Sequence, residues 1–70
     1  MSKELESYKI GNINVSIEET ESPEKVNVLC RDDAFRMEFT ARMYEYKYYK
    51  RHMNQKIKKR FEEAHQQEDS

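Results

Sequence analysis

A two-residue alternation of apolar and polar positions runs through the first half of the chain. Tyr8, Ile10, Ile13, Val15 and Ile17 are apolar, and Lys9, Asn14 and Ser16 between them are polar. A period of two marks strands with one buried face. The alternation changes phase once, at Gly11-Asn12. A Gly-Asn pair between apolar residues is a two-residue hairpin signal, because Gly takes positive φ freely and Asn tolerates it better than most. The register of such a turn predicts the pairs Ile10 with Ile13, Tyr8 with Val15 and Glu6 with Ile17. All the apolar residues then share one face. Thr20-Glu21-Ser22-Pro23-Glu24 reads as a loop punctuated by its proline. A third strand follows, with Val26, Val28 and Cys30 on one side and Asn27, Leu29 and Arg31 on the other.

The next stretch fits two periods. Phe35, Met37, Phe39, Ala41 and Met43 alternate with Arg36, Glu38, Thr40 and Arg42, while Phe35, Phe39, Met43 and Tyr46 also make a helical stripe. A helix would turn Met37 and Ala41 away from Phe39, whereas a strand keeps the whole set together. Residues 34–40 are therefore read as a fourth strand. A tight turn at Asp32-Asp33 would pair Cys30 with Phe35, Val28 with Met37 and Val26 with Phe39.

From Ala41 the pattern is helical. Met43, Tyr46, Met53, Ile57, Phe61 and Ala64 form one stripe, with Lys50 or Tyr49 filling its gap, and no Gly or Pro interrupts it. Thr40 is the expected N-cap, and fraying is expected after about His65. The fold class is thus α+β: a three- or four-stranded antiparallel β-meander followed by one long C-terminal α-helix. Residues 1–66 form a single domain, and residues 67–70 an acidic disordered tail. Seven-residue strands span ~23 Å, and a helix over residues 41–64 spans ~36 Å. The stripe therefore outruns its sheet by about two turns. Met53, Ile57 and Phe61 are expected to meet a second copy of the chain in a homodimer.

Composition adds limits. Seventy residues, 39% of them charged and 36% hydrophobic, make one small domain that buries only ~60% of its unfolded surface. That excludes two domains and an enzyme with a deep enclosed pocket. No run of ~18 apolar residues suggests a membrane span, and the N-terminal residues lack a signal peptide's apolar stretch. A single Cys30 fits a reducing cytosol and a cytoplasmic protein.

The net charge of −1 conceals strong segregation. Residues 1–24 carry −4, residues 35–61 carry +7, and residues 62–70 carry −4. Lys47, Lys50, Arg51, Lys56, Lys58, Lys59 and Arg60 follow one another without an acid between Lys47 and Arg60. Such a local field acts on partners even when the total cancels.

Catalytic and metal chemistry find little to stand on. On the register above, Cys30 points into the core as a small hydrophobe. A lone Gly11 cannot build a phosphate-cradling loop. Glu62 and His65 have the i, i+3 spacing of carboxylate-bridged helix bundles but lack their further carboxylates, and read as solvated tail. No catalytic residue, metal or cofactor is expected, and no small-molecule substrate. The sheet's outer face, with Lys9, Asn14, Ser16, Asn27, Arg31, Arg36 and Thr40, reads as solvent surface.

The feature with functional weight is the basic, Tyr-rich helix. Cations release counterions from phosphates, and tyrosine rings are planes on which unpaired bases stack. Arg42, Tyr44, Lys47, Tyr48, Lys50, Arg51, Lys56, Lys59 and Arg60 are the expected binding residues. The partner is a nucleic acid, RNA or single-stranded DNA, in a small regulator without enzymatic activity. The alternative is an acidic protein surface, contacted by an inhibitor or adaptor through the same helix, since Tyr and Arg are enriched in interface hot spots. A membrane surface is not expected, because the apolar stripe is needed for the core. The order of elements resembles, as topology alone, small sheet-then-helix dimers such as the PUR-like single-strand binders. Those lay nucleic acid on a sheet face, and this sheet lacks the matching basic and aromatic residues.

Overall fold

The computed structural model describes residues 3–67. Four strands, β1 (Glu4–Ile10), β2 (Ile13–Glu19), β3 (Lys25–Arg31) and β4 (Arg36–Arg42), form one antiparallel sheet in the order β1-β2-β3-β4. Two helices follow, α1 (Met43–Tyr48) and α2 (Lys50–Gln67). The fold is α+β, and the first hairpin matches the sequence reading pair for pair: Ile10 faces Ile13, Tyr8 faces Val15 and Glu6 faces Ile17. Gly11 supplies the turn's positive φ of 60°.

The β3–β4 hairpin is shifted by two residues from expectation. Cys30 pairs with Met37, Val28 with Phe39 and Val26 with Ala41. The reason lies in Asp32, whose side-chain Oδ1 accepts the N–H groups of Ala34 and Phe35 at 2.9 and 2.8 Å. This side-chain turn lengthens the connection to four residues and moves the closing pair to Arg31 and Arg36. A slip of two keeps every side chain on its expected face. It also releases Phe35 from the ladder, and its ring meets Phe61 edge to face at 5.0 Å.

β4 runs to Arg42, so Thr40 caps no helix. Arg42 holds the N-cap position of α1 without a side-chain bond, and the Met43 N–H donates to the Glu24 carbonyl at 2.7 Å. The single long helix of the sequence reading is in fact two. Tyr49, with φ −125° and ψ 35°, separates them. The residues on either side are tied to one carboxylate on β1. The Tyr46 hydroxyl donates to Glu6 Oε1 at 2.9 Å, and Lys50 Nζ donates to Glu6 Oε2 at 2.7 Å. α1 thus crosses from β4 toward β1, and α2 returns over the inner face to the β3–β4 turn, where His65 Nε2 lies 2.7 Å from Asp32 Oδ2.

That path corrects the overhang argument. α2 has 18 residues and spans ~27 Å, close to the ~23 Å of a seven-residue strand. Met53 and Ile57 are 0% exposed and Phe61 is 2% exposed, packed with Ile13, Val15, Ile17, Val26, Val28, Cys30 and Ala41. The three residues assigned to a contact between copies belong to the chain's own core, and the homodimer inferred from an overrunning stripe loses its basis. The helix runs to Gln67, within two residues of the expected fraying point, and residues 68–70 of the expected acidic tail lie outside the described residues. Among the described residues, no helix is long and apolar enough to cross a membrane.

Candidate nucleic-acid interface

In Met43-Tyr44-Glu45-Tyr46-Lys47-Tyr48 the helical period alone decides which side chains face out. Met43 and Tyr46, three apart, pack against the core, which turns Tyr44, Lys47 and Tyr48 to solvent. Of the two residues that could fill the gap in the apolar stripe, Lys50 or Tyr49, the break between α1 and α2 leaves Tyr49 outside. Tyr44 is 51% exposed, Tyr48 77% and Tyr49 58%. Tyr44 and Tyr49 meet edge to face, with ring centroids 6.2 Å apart. The Arg42 guanidinium stands 6.0 Å from the centre of the Tyr44 ring. Lys47 and Arg51 are exposed beside them. Among the described residues the ion pairs are Lys50–Glu6, Lys56–Glu45 and His65–Asp32, so Arg42, Lys47 and Arg51 remain uncompensated. Three exposed phenol rings and three cations without an ion pair thus share residues 42–51, the stretch that spans the α1–α2 corner.

The other expected binding residues divide. Lys50 is spent on structure: besides its bond to Glu6, its ammonium lies 4.3 Å from the centre of the Tyr8 ring and 5.8 Å from that of Tyr46. The Lys50 bond, helped by the Tyr46 hydroxyl, holds the Glu6 carboxyl below its ordinary range. Lys56 is exposed but reaches Glu45 at 2.9 Å. Lys59 and Arg60 are exposed on α2. At 100° per residue from buried Ile57, Arg51 and Lys58 fall on one flank of α2, Lys56 and Arg60 on the other, and Lys59 at its crest. The basic block is contiguous in sequence and dispersed in space. The corner, rather than the length of the helix, concentrates charge with aromatic surface.

Elsewhere the polar side chains serve the fold. The Tyr8 hydroxyl donates to Asn54 Oδ1 at 2.6 Å, and burial pushes its pKa up to about 12. Cys30 is buried, and its thiol is pushed up to about 11 by the loss of water, which keeps it a poor nucleophile at neutral pH. His65, read as solvated tail, instead closes onto Asp32. No cluster of three or more His, Cys, Asp or Glu side chains suited to a metal occurs among the described residues. No signal in the sequence marks Tyr49 as exposed, since neither Gly nor Pro stands at the break. No family model matches the sequence, and no curated protein or solved structure is significantly similar to it, so the functional reading rests on the geometry of this corner.

Proposed function

We propose that the chain is a small, non-enzymatic regulator that binds single-stranded nucleic acid at the α1–α2 corner. The observation that carries this reading is the grouping of Tyr44, Tyr48 and Tyr49, each more than half exposed, with the unpaired cations Arg42, Lys47 and Arg51. Phenol rings held in water cost solubility unless something covers them, and bases do so without regard to sequence. The cations would neutralise the flanking phosphates. Tyr48, the most exposed of the three rings, is the stacking platform, and Arg42 and Lys47 are the phosphate contacts.

The test is fluorescence anisotropy with labelled single-stranded RNA and DNA at ~50 mM salt, where phosphate contacts are strongest. Tyr48→Ala is expected to weaken binding by roughly 5- to 150-fold, the equivalent of ~1–3 kcal/mol for one stacked base. Absence of binding to either strand at that salt would remove the proposal.

A second reading has one observation in its favour. The edge-to-face lock between Tyr44 and Tyr49 presents a joint surface of the kind that anchors protein interfaces. An acidic protein surface would then be the partner, and binding would persist after nuclease treatment of a native extract.

A further inference from the structure

The outer face of the sheet, opposite the helices, carries an open groove of about 800 Å3. Its volume lies within the range of small-molecule and cofactor sites, ~300–1,000 Å3. Sequence alone marks this face as solvent surface, short of basic residues for a sheet-face binder, but the register brings the cations it has into line. Lys9 is opposite Asn14, Asn14 opposite Arg31, and Arg31 opposite Arg36. These four residues form one row across all four strands at the turn end of the sheet. Arg31 and Arg36 are direct cross-strand partners, a position that sets Cβ atoms ~4.5–5.5 Å apart. Like charges directly opposite one another are destabilising. Among the described residues neither arginine forms an ion pair, the carboxylates so engaged being Glu6, Glu45 and Asp32, although Glu38 lies two residues from Arg36 on the same face of β4. Glu38, which borders the groove, accepts a hydrogen bond from Asn27 at 3.1 Å.

Beside the cationic row the groove offers Ser7, the half-buried Leu29 and Ser16, whose hydroxyl already donates to Glu4 Oε1 at 3.1 Å. This pairs a small apolar floor with neutral donors and acceptors. The row also connects to the corner. Arg36 and Arg42 stand at the two ends of β4, six residues apart and so on the same outer face, ~20 Å from each other. Arg42 belongs to both the sheet face and the tyrosine cluster. A flexible polyanion leaving the corner at Arg42 would meet the row at Arg36, Arg31 and Lys9.

We infer that this groove is a second contact for the same single-stranded nucleic acid, with Arg31, Arg36 and Lys9 holding backbone phosphates and Leu29 lying beneath a sugar or base. The inference rests on the nucleic-acid reading of the corner. It also gives the facing arginines a counter-charge, since the ligand's phosphates would neutralise a like-charge pair that costs stability in the free fold.

The test is the salt dependence of oligonucleotide binding by the full chain and three variants. Each phosphate contact on a single strand contributes ~0.7 to the slope of log K against log salt. The Arg31→Gln/Arg36→Gln double variant is expected to lower that slope by ~1.4 and to melt at or above the wild-type temperature, since a repulsion is removed. Arg31→Lys/Arg36→Lys is expected to keep the slope, which ties the effect to charge. Tyr48→Ala is expected to weaken binding with the slope unchanged. If the double Gln variant keeps the wild-type slope while Tyr48→Ala weakens binding, the groove proposal is overturned and the corner stands. If the Gln variant loses slope and Tyr48→Ala has no effect, the groove stands and the corner falls. If the wild type binds no oligonucleotide, both fall. Equal competition by a Glu-rich peptide of matched charge would overturn nucleic acid as the occupant.

Discussion

Ile57 separates the two accounts of the apolar stripe, and its truncation has a calculable effect. The side chain is 0% exposed, within the same cluster as Met53 and Phe61 above the sheet. Ile57→Ala removes buried methyl and methylene groups and leaves a cavity, at a cost of ~2–5 kcal/mol. A domain of 70 residues has a total stability of roughly 3.5–10 kcal/mol. The substitution therefore consumes a fifth of it at the least and can unfold the chain at the worst. A loss of ~2 kcal/mol lowers Tm by roughly 8–16 °C for a domain of this size. The assay is urea unfolding followed by far-UV circular dichroism, repeated over a roughly tenfold range of protein concentration. Because Ile57 is covered by its own sheet, the wild-type midpoint is expected to be independent of concentration, and the variant's midpoint to fall with the urea slope unchanged. A loss below ~0.5 kcal/mol, the level of an ordinary surface substitution, would refute the burial. A wild-type midpoint that climbs with concentration would refute the self-contained core and restore the contact between copies.

Other outcomes follow from single positions. Gly11→Ala places a side chain at φ 60° with no atom within 4 Å of its Cβ, so the cost is backbone strain alone. About 1–2 kcal/mol is expected, with Gly11→Asn milder, both read from Tm. Tyr8 has its pKa raised to about 12 in the folded state, above ~10 for an ordinary phenol. The folded state thus holds that proton more tightly, and stability is expected to fall as pH rises from 10 toward 12. Tyr8→Phe should lose that alkaline component, as followed by circular dichroism. Asp32 is held below its ordinary range, first by the bond to His65 and then by the Ala34 N–H. Its contribution is complete above ~pH 4, its ordinary pKa, and lost as pH falls further. Asp32→Asn should flatten the acid limb and speed amide exchange in the last turn of α2.

How far these features were legible varies with the range of the interactions that set them. The β1–β2 hairpin was readable to the residue because Gly11-Asn12 and the alternation of Tyr8, Ile10, Ile13 and Val15 independently demand one register. The β3–β4 register was misread by two because Asp32 builds its turn with a side chain, and the apolar pattern is indifferent to an even slip. The break at Tyr49 has no Gly or Pro to announce it. It accompanies a convergence of Tyr46 and Lys50 on Glu6, 40 and 44 residues earlier in the chain. The same convergence removes Lys50 from the binding set, and the break adds Tyr49 to the exposed one. Charge counted along the sequence shows the excess of cations over residues 35–61 but not how they are distributed in space. Only the fold showed that α2 disperses its cations around two flanks, while Arg42, Lys47 and Arg51 gather around three tyrosines.

The most direct test of the account is a backbone amide shift map, recorded by heteronuclear NMR as a single-stranded oligonucleotide is titrated into the labelled protein. The account predicts that the largest shifts cluster over residues 42–51, with a second set at Lys9, Arg31 and Arg36, while buried Val28 and Ile57 stay in place. Absence of shifts, or shifts confined to the crest of α2 around Lys59, would contradict it.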